Sequence, residues 1–231
     1  MLVISGGVVK SGSVALYQYV REMVQTFGGG FAPMLPEGRE DEYFNYHIDE
    51  WTDSKWMYVL KLHSWKDELA RSRDTGKLKV IMSYRDLRDT CLSVRDFRND
   101  IFEGVIASKI LQRIRDAELR WRSEIGNNLI QVPYEFMRLH PVAAIKQIGH
   151  FLGIELNDGE AGYIAERWSI HANRARAQKN YPVSHPEFMS PRHISSGNVA
   201  RWRRELTEEQ CRIVQEHVGE QWFLDRGYEL V

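Results

Sequence analysis

The chain has 231 residues, of which 43% are hydrophobic and 27% charged, a composition typical of globular proteins. Its formal net charge of −1 gives no protein-wide positive field, so we expect neither nucleic acid nor a membrane surface as a partner. The two cysteines, Cys91 and Cys211, lack the spacing of a zinc site or a disulfide framework, which favours a reducing cytoplasm. No apolar run approaches the ~20 residues of a membrane span, and we expect no signal peptide.

The beginning of the chain predicts a strand, a glycine-containing loop and a helix. The apolar run Leu2-Val3-Ile4 is followed by Ser5-Gly6-Gly7-Val8-Val9-Lys10-Ser11-Gly12-Ser13, and apolar residues then recur at helical spacing up to Phe27. In such a loop the backbone N–H groups and the positive end of the helix dipole attract anions, and Lys10 adds a full charge. We therefore predict a phosphate-binding loop, although an ordinary strand-to-helix turn uses the same small residues.

A second predicted strand, Met57-Tyr58-Val59-Leu60, is followed directly by Lys61-Leu62-His63. Because Lys61 and His63 are two positions apart on an extended segment, we expect their side chains to point to the same side. Ligands of open α/β sheets bind beyond the carboxyl ends of the strands, so this pair is a candidate for catalysis. The alternative is a polar strand end that only faces solvent. We assign the aromatic residues of the preceding segment 31–55 to the core rather than to an acceptor pocket.

A third predicted strand, residues 78–84, leads into Arg85-Asp86-Leu87-Arg88-Asp89-Thr90-Cys91-Leu92-Ser93. Asp86 is suited to cap the start of a helix, which places Ser93 about two turns further on. Arg85 offers a planar fork of donors and Ser93 a compact hydroxyl, so the two can converge on one anionic group. Alternatively, Arg85 forms a structural ion pair with Asp89.

The rest of the chain predicts several helices and one more strand. We predict a long helix over 101–124, a strand at Leu129-Ile130-Gln131-Val132, and helices that begin near Pro141, near 157 and at Thr207. Basic residues and prolines accumulate from 172 to 204, and the prolines argue against regular structure in much of this stretch. We interpret residues 172–196 as a mobile basic lid over an anionic ligand, or as a segment disordered in the free protein. The chain contains no internal repeat, and we predict one domain over residues 1–231.

Five segments resemble, in the same order, the motifs of sulfotransferases that use 3′-phosphoadenosine 5′-phosphosulfate (PAPS). The first loop is not a Walker A motif, since Val9 rather than glycine precedes Lys10. It is similar instead to the family's Pro-Lys-Ser-Gly-Thr-Thr, while Lys61-Leu62-His63 resembles Lys-x-His. The segment from Arg85 to Ser93 resembles Arg-x-x-x-Asp-x-x-x-Ser. The last two are Val132-Pro133-Tyr134-Glu135-Phe136, similar to Arg-Tyr-Glu-Asp-Leu, and Gly197-Asn198-Val199-Ala200-Arg201-Trp202, similar to Gly-x-x-Gly-x-Trp.

The resemblance implies an α/β fold of three layers, α/β/α, around a central parallel sheet. It implies transfer of a sulfuryl group from PAPS to a hydroxyl or amine of a small-molecule acceptor, with release of adenosine 3′,5′-bisphosphate (PAP) and no metal. By this resemblance His63 is the catalytic base, Lys10 stabilises the leaving oxygen and Lys61 contacts the sulfuryl oxygens. The nucleotide-binding positions carried over are Lys10, Ser11, Gly12, Ser13, Val14, Arg85, Ser93, Tyr134, Ser196, Gly197 and Asn198. Among them, Arg85 and Ser93 would hold the 3′-phosphate.

The chain departs from the family pattern at several positions. Val14 lacks the second hydroxyl of the loop, and Ala15 stands where many members have a tryptophan against the adenine. Ser195 and Ser196 stand where the family often has Arg-Lys, so we expect other arginines to contact the 3′-phosphate. The candidates for that contact are Arg192, Arg201 and Arg203. The segments expected to form the acceptor pocket are 31–55, 97–125 and 172–196.

Two other functions stay open at this point. A P-loop kinase or NTPase would need Mg²⁺ and an acid to hold it, for which Asp86 and Asp89 are the only well-placed candidates. A nucleotide-binding module without activity would keep the loop but would not need Lys61 and His63, and the presence of both argues against it. The sequence does not indicate an oligomeric state.

Overall fold

The computed structural model describes residues 1–36, 38–180 and 197–231, except for the side chains of residues 179 and 180. Within these residues, a parallel sheet of four strands has the order β2-β1-β3-β4. The strands are β1 (Leu2–Gly7), β2 (Tyr58–Leu62), β3 (Leu78–Tyr84) and β4 (Leu129–Pro133). The predicted α/β class and the central parallel sheet are confirmed.

Helices cover both faces of this sheet. They are α1 (Ser13–Thr26), α2 (Glu40–Asp53), α3 (Ala70–Asp74), α4 (Leu87–Arg98), α5 (Phe102–Ala107), α6 (Ile110–Ile125), α7 (Tyr134–Leu139), α8 (Pro141–Leu152), α9 (Asp158–Arg167), α10 (Ile170–Asn180), α11 (Trp202–Glu205), α12 (Glu208–Val218) and α13 (Glu220–Leu224). None of the helices in the described ranges is both long enough and apolar enough to cross a membrane.

Alternate residues of each strand pack into two separate apolar layers, as the two-residue period of a strand requires. On β1, Leu2 and Ile4 belong to one core cluster and Val3 belongs to the other. On β3, Val80 and Ile81 divide in the same way. The first cluster includes side chains of α2, α4, α5, α6, α12 and α13, and the second includes side chains of α1, α7, α8 and α9. The three-layer arrangement follows from this alternation.

The parallel strands all end at the same edge of the sheet, and the predicted site segments follow them there. The loop after β1 leads into α1, which begins at Ser13 directly after Gly12. The loop after β3 leads into α4, and the Asp86 carboxylate caps this helix by accepting a 2.9 Å hydrogen bond from the Arg88 amide. The predicted cap at Asp86 is therefore confirmed, and Arg85 lies between the end of β3 and the start of α4.

The sequence-based prediction of one long helix over 101–124 is wrong. Two helices, α5 and α6, occupy this segment, because Lys109 between them has a left-handed backbone with φ of 53°. The Ser108 hydroxyl donates to the Val105 carbonyl at 2.7 Å and helps to end α5. Apolar periodicity alone continues across such a break and does not reveal it.

The basic stretch that starts at residue 172 is helical in its first part. α10 runs over Ile170–Asn180, so the first residues of the predicted lid are helical. The prolines that argued against regular structure, Pro182, Pro186 and Pro191, all come after this helix. The remainder of the predicted lid, 181–196, lies outside the described residues.

The aromatic residues before β2 mostly serve the core, as predicted. Phe44 and Trp51 of α2 are buried in the first cluster, and Tyr43 packs against it. Tyr46 and Phe31 are exceptions, since 81% and 50% of them are exposed.

Candidate active site

A cleft lies at the carboxyl edge of the sheet, between the loop after β1 and the segments that follow β2, β3 and β4. The predicted site residues that line it are Lys10, Gly12, Ser13, Val14, Lys61, His63, Arg85, Ser93, Tyr134 and Gly197. Three others are not among these lining residues: Ser11 is buried behind the loop, the Asn198 carbonyl accepts a hydrogen bond from Arg85, and Ser196 lies outside the described residues. The fold thus brings four of the five motif segments, and part of the fifth, into one wall.

The loop after β1 can take its shape only because two of its residues are glycines. Gly12 has φ of 84°, and a Cβ there would lie 2.5 Å from the Tyr134 ring. A Cβ on Gly7 would lie 2.6 Å from the Ser13 Cβ. Lys10 also has a left-handed backbone, with φ of 67°, which is uncommon for a residue other than glycine. These constraints keep the loop tight against the amino end of α1.

The Ser11 side chain does not line the cleft and packs inside the loop. Its hydroxyl is fully buried and donates to the Val8 carbonyl at 2.7 Å, and its amide donates to the same carbonyl at 3.2 Å. The Ser83 hydroxyl at the end of β3 lies 2.9 Å from the Ser11 hydroxyl and serves as its donor, because the Ser11 proton is already used. The loop is thereby fastened to β3. Sequence reasoning missed Ser83, which only the strand register places beside the loop.

Lys61 and His63 lie side by side, as their spacing predicts. The Lys61 ammonium is 3.2 Å from His63 Nε2, and His63 Nδ1 is 2.7 Å from the Gly7 carbonyl oxygen. A carbonyl can only accept, so Nδ1 carries the proton in the neutral ring and Nε2 carries the lone pair. The Gly7 carbonyl therefore fixes the tautomer in which His63 can accept a proton at Nε2.

Burial in the cleft wall changes the titration of these three side chains. It lowers the pKa of both Lys10 and Lys61 to about 8. It also lowers the pKa of His63, as does the neighbouring Lys61 charge, while the hydrogen bond to Gly7 acts in the opposite direction. At neutral pH the two lysines are charged and His63 is neutral. The Lys10 ammonium lies 3.4 Å from the centre of the Phe97 ring, a cation–π contact.

Arg85 lies at the other end of the cleft, and part of its guanidinium group is hydrogen-bonded within the protein. Its Nη2 donates to Asp89 Oδ2 and to the Asn198 carbonyl, both at 3.0 Å, so the alternative ion pair with Asp89 exists. The guanidinium also lies 4.3 Å from the centre of the Tyr134 ring. However, Arg85 Nε is buried and has no hydrogen-bond partner in the described part of the chain. Ser93 lines the cleft on the same side.

Two of the arginines expected to contact the 3′-phosphate are bound elsewhere. Arg201 donates to Asp96 and Glu205, each at 2.8 Å, and does not line the cleft. Arg203 forms an ion pair with Glu229 beside a separate crevice. The third candidate, Arg192, lies outside the described residues. A different arginine, Arg138 of α7, lines the cleft and donates from Nε to the Gly197 carbonyl at 3.1 Å.

The wall of the cleft is positive and apolar. No aspartate or glutamate is among the described residues that line it. Of the described residues in the segments expected to form an acceptor pocket, Phe97 and Asn173 line the cleft, and no described residue of 31–55 does. Such a wall suits an anionic ligand with an apolar body.

Glu135 connects two of the motif segments and the end of the chain behind the cleft. Its carboxylate accepts from the Asp86 amide at 3.3 Å and from the Tyr228 hydroxyl at 3.1 Å. Burial raises the pKa of Glu135. The residue holds the starts of α4 and α7 to the end of the chain, which is a structural role.

A sequence profile described as the sulfotransferase domain matches residues 3–224 of this chain. The chain belongs to the sulfotransferase family. Sulfotransferase 6B1 of mouse is 26% identical over 176 residues, which cover 70% of this chain and 56% of the mouse protein. The human protein of the same name is 25% identical over the same length. The matched region therefore spans about half the length of these curated relatives.

Solved sulfotransferase structures have a similar fold. Mouse sulfotransferase SULT7A1 complexed with PAP has a TM-score of 0.71 and 20% identity, over 95% of this chain and 82% of that one. Retinol dehydratase in complex with androsterone and PAP has a TM-score of 0.67 and 13% identity, over 95% of this chain and 80% of that one.

Proposed function

We propose that this sulfotransferase-family protein transfers a sulfuryl group from PAPS to a hydroxyl or amine of a small molecule and releases PAP. The observation that carries the proposal is the group formed by Lys10, Lys61 and His63. The Lys61 ammonium lies 3.2 Å from Nε2 of the neutral His63, and Lys10 lines the same cleft, in which the described residues include no acidic side chain. Transfer of an anionic group needs this combination of positive charge and one proton acceptor.

In the proposed step His63 Nε2 takes the proton from the acceptor hydroxyl as the acceptor oxygen forms a bond to sulfur. The bond between sulfur and the bridging phosphate oxygen breaks, and that oxygen leaves with a negative charge on PAP. Lys10 stabilises this charge, and Lys61 stabilises the sulfuryl oxygens. Like phosphoryl transfer, the reaction depends on positioning and electrostatic stabilisation rather than on a protein nucleophile.

The residues at both ends of the cleft fit a nucleotide with two phosphorylated positions. The loop after β1 and the amino end of α1 would hold the 5′-phosphosulfate through backbone amides and Lys10. Arg85 and Ser93 would hold the 3′-phosphate, for which the unpartnered Nε of Arg85 is a suitable donor. Tyr134 and the Gly197 backbone line the wall beside Arg85 and Arg138.

The acceptor is proposed only as a class, a small molecule with a hydroxyl or amine. Val9 and Phe97, each 42% exposed, border the cleft near Lys10 and favour an apolar body. Retinol dehydratase, of similar fold, has been solved with retinol and with androsterone. We also propose a cytoplasmic location, since Cys91 and Cys211 are free and buried thiols.

The arrangement of the two acids disfavours the alternative of a Mg²⁺-dependent kinase or NTPase. Asp86 accepts hydrogen bonds from the backbone and side chain of Arg88, and Asp89 accepts from Arg85 and from the Trp202 amide. Both carboxylates thus neutralise arginines behind the cleft. Among the described residues, no three side chains of His, Cys, Asp or Glu are grouped as a metal site would require.

The test is an activity assay with purified protein, PAPS and a mixture of phenols, alcohols and amines. Mass spectrometry would measure PAP and sulfated product. We expect the two to form in equal amounts and only when an acceptor is present. Transfer or hydrolysis of ATP–Mg²⁺ together with no consumption of PAPS would contradict the proposal.

A further inference from the structure

The second arginine in the cleft wall, Arg138, has no acidic partner among the described residues. Its Nε donates to the Gly197 carbonyl, and no carboxylate in those ranges forms an ion pair with it. Arg85, in contrast, is paired with Asp89, and Arg201 with Asp96 and Glu205. Arg138 therefore presents a full positive charge that no carboxylate of residues 1–36, 38–180 or 197–231 neutralises.

Arg138 and Arg85 lie at the same end of the cleft. Arg138 donates to the carbonyl of Gly197, and Arg85 donates to the carbonyl of the next residue, Asn198. Consecutive residues are about 3.8 Å apart, so the two guanidinium groups approach the same short piece of backbone. Both arginines are also near Tyr134. The Arg85 guanidinium stacks on the Tyr134 ring, and Arg138 lies one helical turn after Tyr134 on α7.

Gly197 makes this approach possible. Its φ is 73°, and a Cβ there would lie 2.0 Å from Ile170 Cδ1 and 3.3 Å from Arg138 Nη2. A larger residue would push its backbone away from Ile170 and Arg138. The position of Arg138 is therefore set by a specific backbone contact and not by a freely moving side chain.

We propose that Arg138, together with Arg85, binds the 3′-phosphate of PAPS; this builds on the sulfuryl-transfer function proposed above. Arg138 supplies the charge that Ser195 and Ser196 lack relative to the Arg-Lys of similar sulfotransferases. The other candidates in the described residues, Arg201 and Arg203, are neutralised by carboxylates away from the cleft. A guanidinium with one donor held by a carbonyl keeps its Nη donors for two phosphate oxygens.

The test compares the affinity for PAP with that for adenosine 5′-phosphate, which lacks the 3′-phosphate, by calorimetry. Arg138→Gln removes the charge but keeps a donor for the Gly197 carbonyl. We expect it to weaken PAP binding roughly 10- to 100-fold and adenosine 5′-phosphate binding by less than about 3-fold. Arg138→Lys keeps the charge without the planar fork of donors and should lose less PAP affinity than Arg138→Gln. Arg203→Gln is the matched control, because Arg203 is an exposed arginine outside the cleft. This variant should bind PAP and adenosine 5′-phosphate as the wild type does.

Two results would overturn the role of Arg138. One is an unchanged ratio of the two affinities in Arg138→Gln; the other is equal weakening of both, which would indicate a contact with the base or sugar. If Arg138→Gln does not fold, as judged by circular dichroism, Arg138→Met is measured in its place, and an unchanged ratio in that variant has the same meaning. A wild-type protein that does not prefer PAP would instead contradict the proposed function itself, so the two failures are distinguishable.

Discussion

The two ends of the cleft carry positive charge in different chemical forms. At the lysine end (Lys10, Lys61 and His63), burial brings the pKa of both lysines down to about 8 and keeps His63 neutral at neutral pH. At the arginine end (Arg85, Ser93 and Arg138), the charge is carried by guanidinium groups, whose donors form a planar fork. There each arginine donates to a main-chain carbonyl, which fixes its direction.

Under the proposed function, the lysine end serves the chemical step and the arginine end serves nucleotide binding. A group that accepts a proton during the reaction must titrate near the working pH, whereas a group that only holds a phosphate benefits from fixed charge and direction. Substitutions at the lysine end should therefore change turnover more than nucleotide affinity. Substitutions at the arginine end should do the reverse.

The largest effect is expected for His63→Ala at the lysine end. Loss of the proton acceptor should reduce turnover of PAPS by about 10²- to 10⁴-fold, while PAP affinity stays within about 3-fold of wild type. Turnover and PAP binding are measured on the same preparation. His150→Ala is the control, because His150 has a side chain 83% exposed on α8 and lies outside the cleft. Equal losses of turnover and PAP affinity in His63→Ala would contradict a role of the lysine end that is confined to turnover.

Arg85→Ala tests whether the arginine end also supports the fold. The substitution would leave the fully buried Asp89 without its ion-pair partner, so we expect unfolding free energy to fall by about 3–5 kcal/mol. The preference for PAP over adenosine 5′-phosphate should disappear as well. Denaturant unfolding and calorimetry measure the two effects. Retention of that preference in a folded Arg85→Ala protein would mean that Arg85 does not hold the 3′-phosphate.

PAP binding should weaken as the pH rises, because of the lysine end of the cleft. A bound phosphate favours charged Lys10 and raises its pKa, which is about 8 in the free protein, so binding takes up protons above that pH. Affinity should be flat below about pH 7 and should fall roughly ten-fold by about pH 9. Lys10→Met should bind more weakly and lose this pH dependence. An affinity in the wild type that stays constant to about pH 9 would show that Lys10 does not contact the phosphates.

The smallest effect concerns the support of the loop by Ser83. Ser83→Ala removes the hydrogen bond to Ser11 and should lower the unfolding free energy by about 1 kcal/mol, with a modest loss of PAP affinity. Ser5→Ala is a matched control on the neighbouring strand, since the buried Ser5 hydroxyl has no hydrogen-bond partner in the described part of the chain. It should be neutral or slightly stabilising. Equal effects of the two substitutions would contradict a specific role for Ser83.

The sequence predicted local features well because local physics determines them. The apolar runs of β1 and β3 and the cap at Asp86 depend on neighbouring residues only. The pairing of Lys61 with His63 also follows from the two-residue period of a strand. The break at Lys109 was missed because a left-handed residue leaves the apolar pattern intact.

Features that depend on distant contacts could not be predicted. The inward orientation of Ser11 is set by Ser83, and the partners of Arg201 come from α4 and α11. No sequence motif marks Arg138, whose significance is that no carboxylate in the described part of the chain pairs with it. Only the spatial arrangement distinguishes this arginine from the many others in the chain.

The most direct test of the account is a calorimetric titration of the wild-type protein with PAP, adenosine 5′-phosphate and ATP–Mg²⁺. The cleft has positive groups at both ends, and the two nearby acids, Asp86 and Asp89, form ion pairs with arginines. PAP should therefore bind most tightly. Removal of the 3′-phosphate should weaken binding at least about 10-fold, and ATP–Mg²⁺ should not compete. Tighter binding of ATP–Mg²⁺ than of PAP would contradict the account.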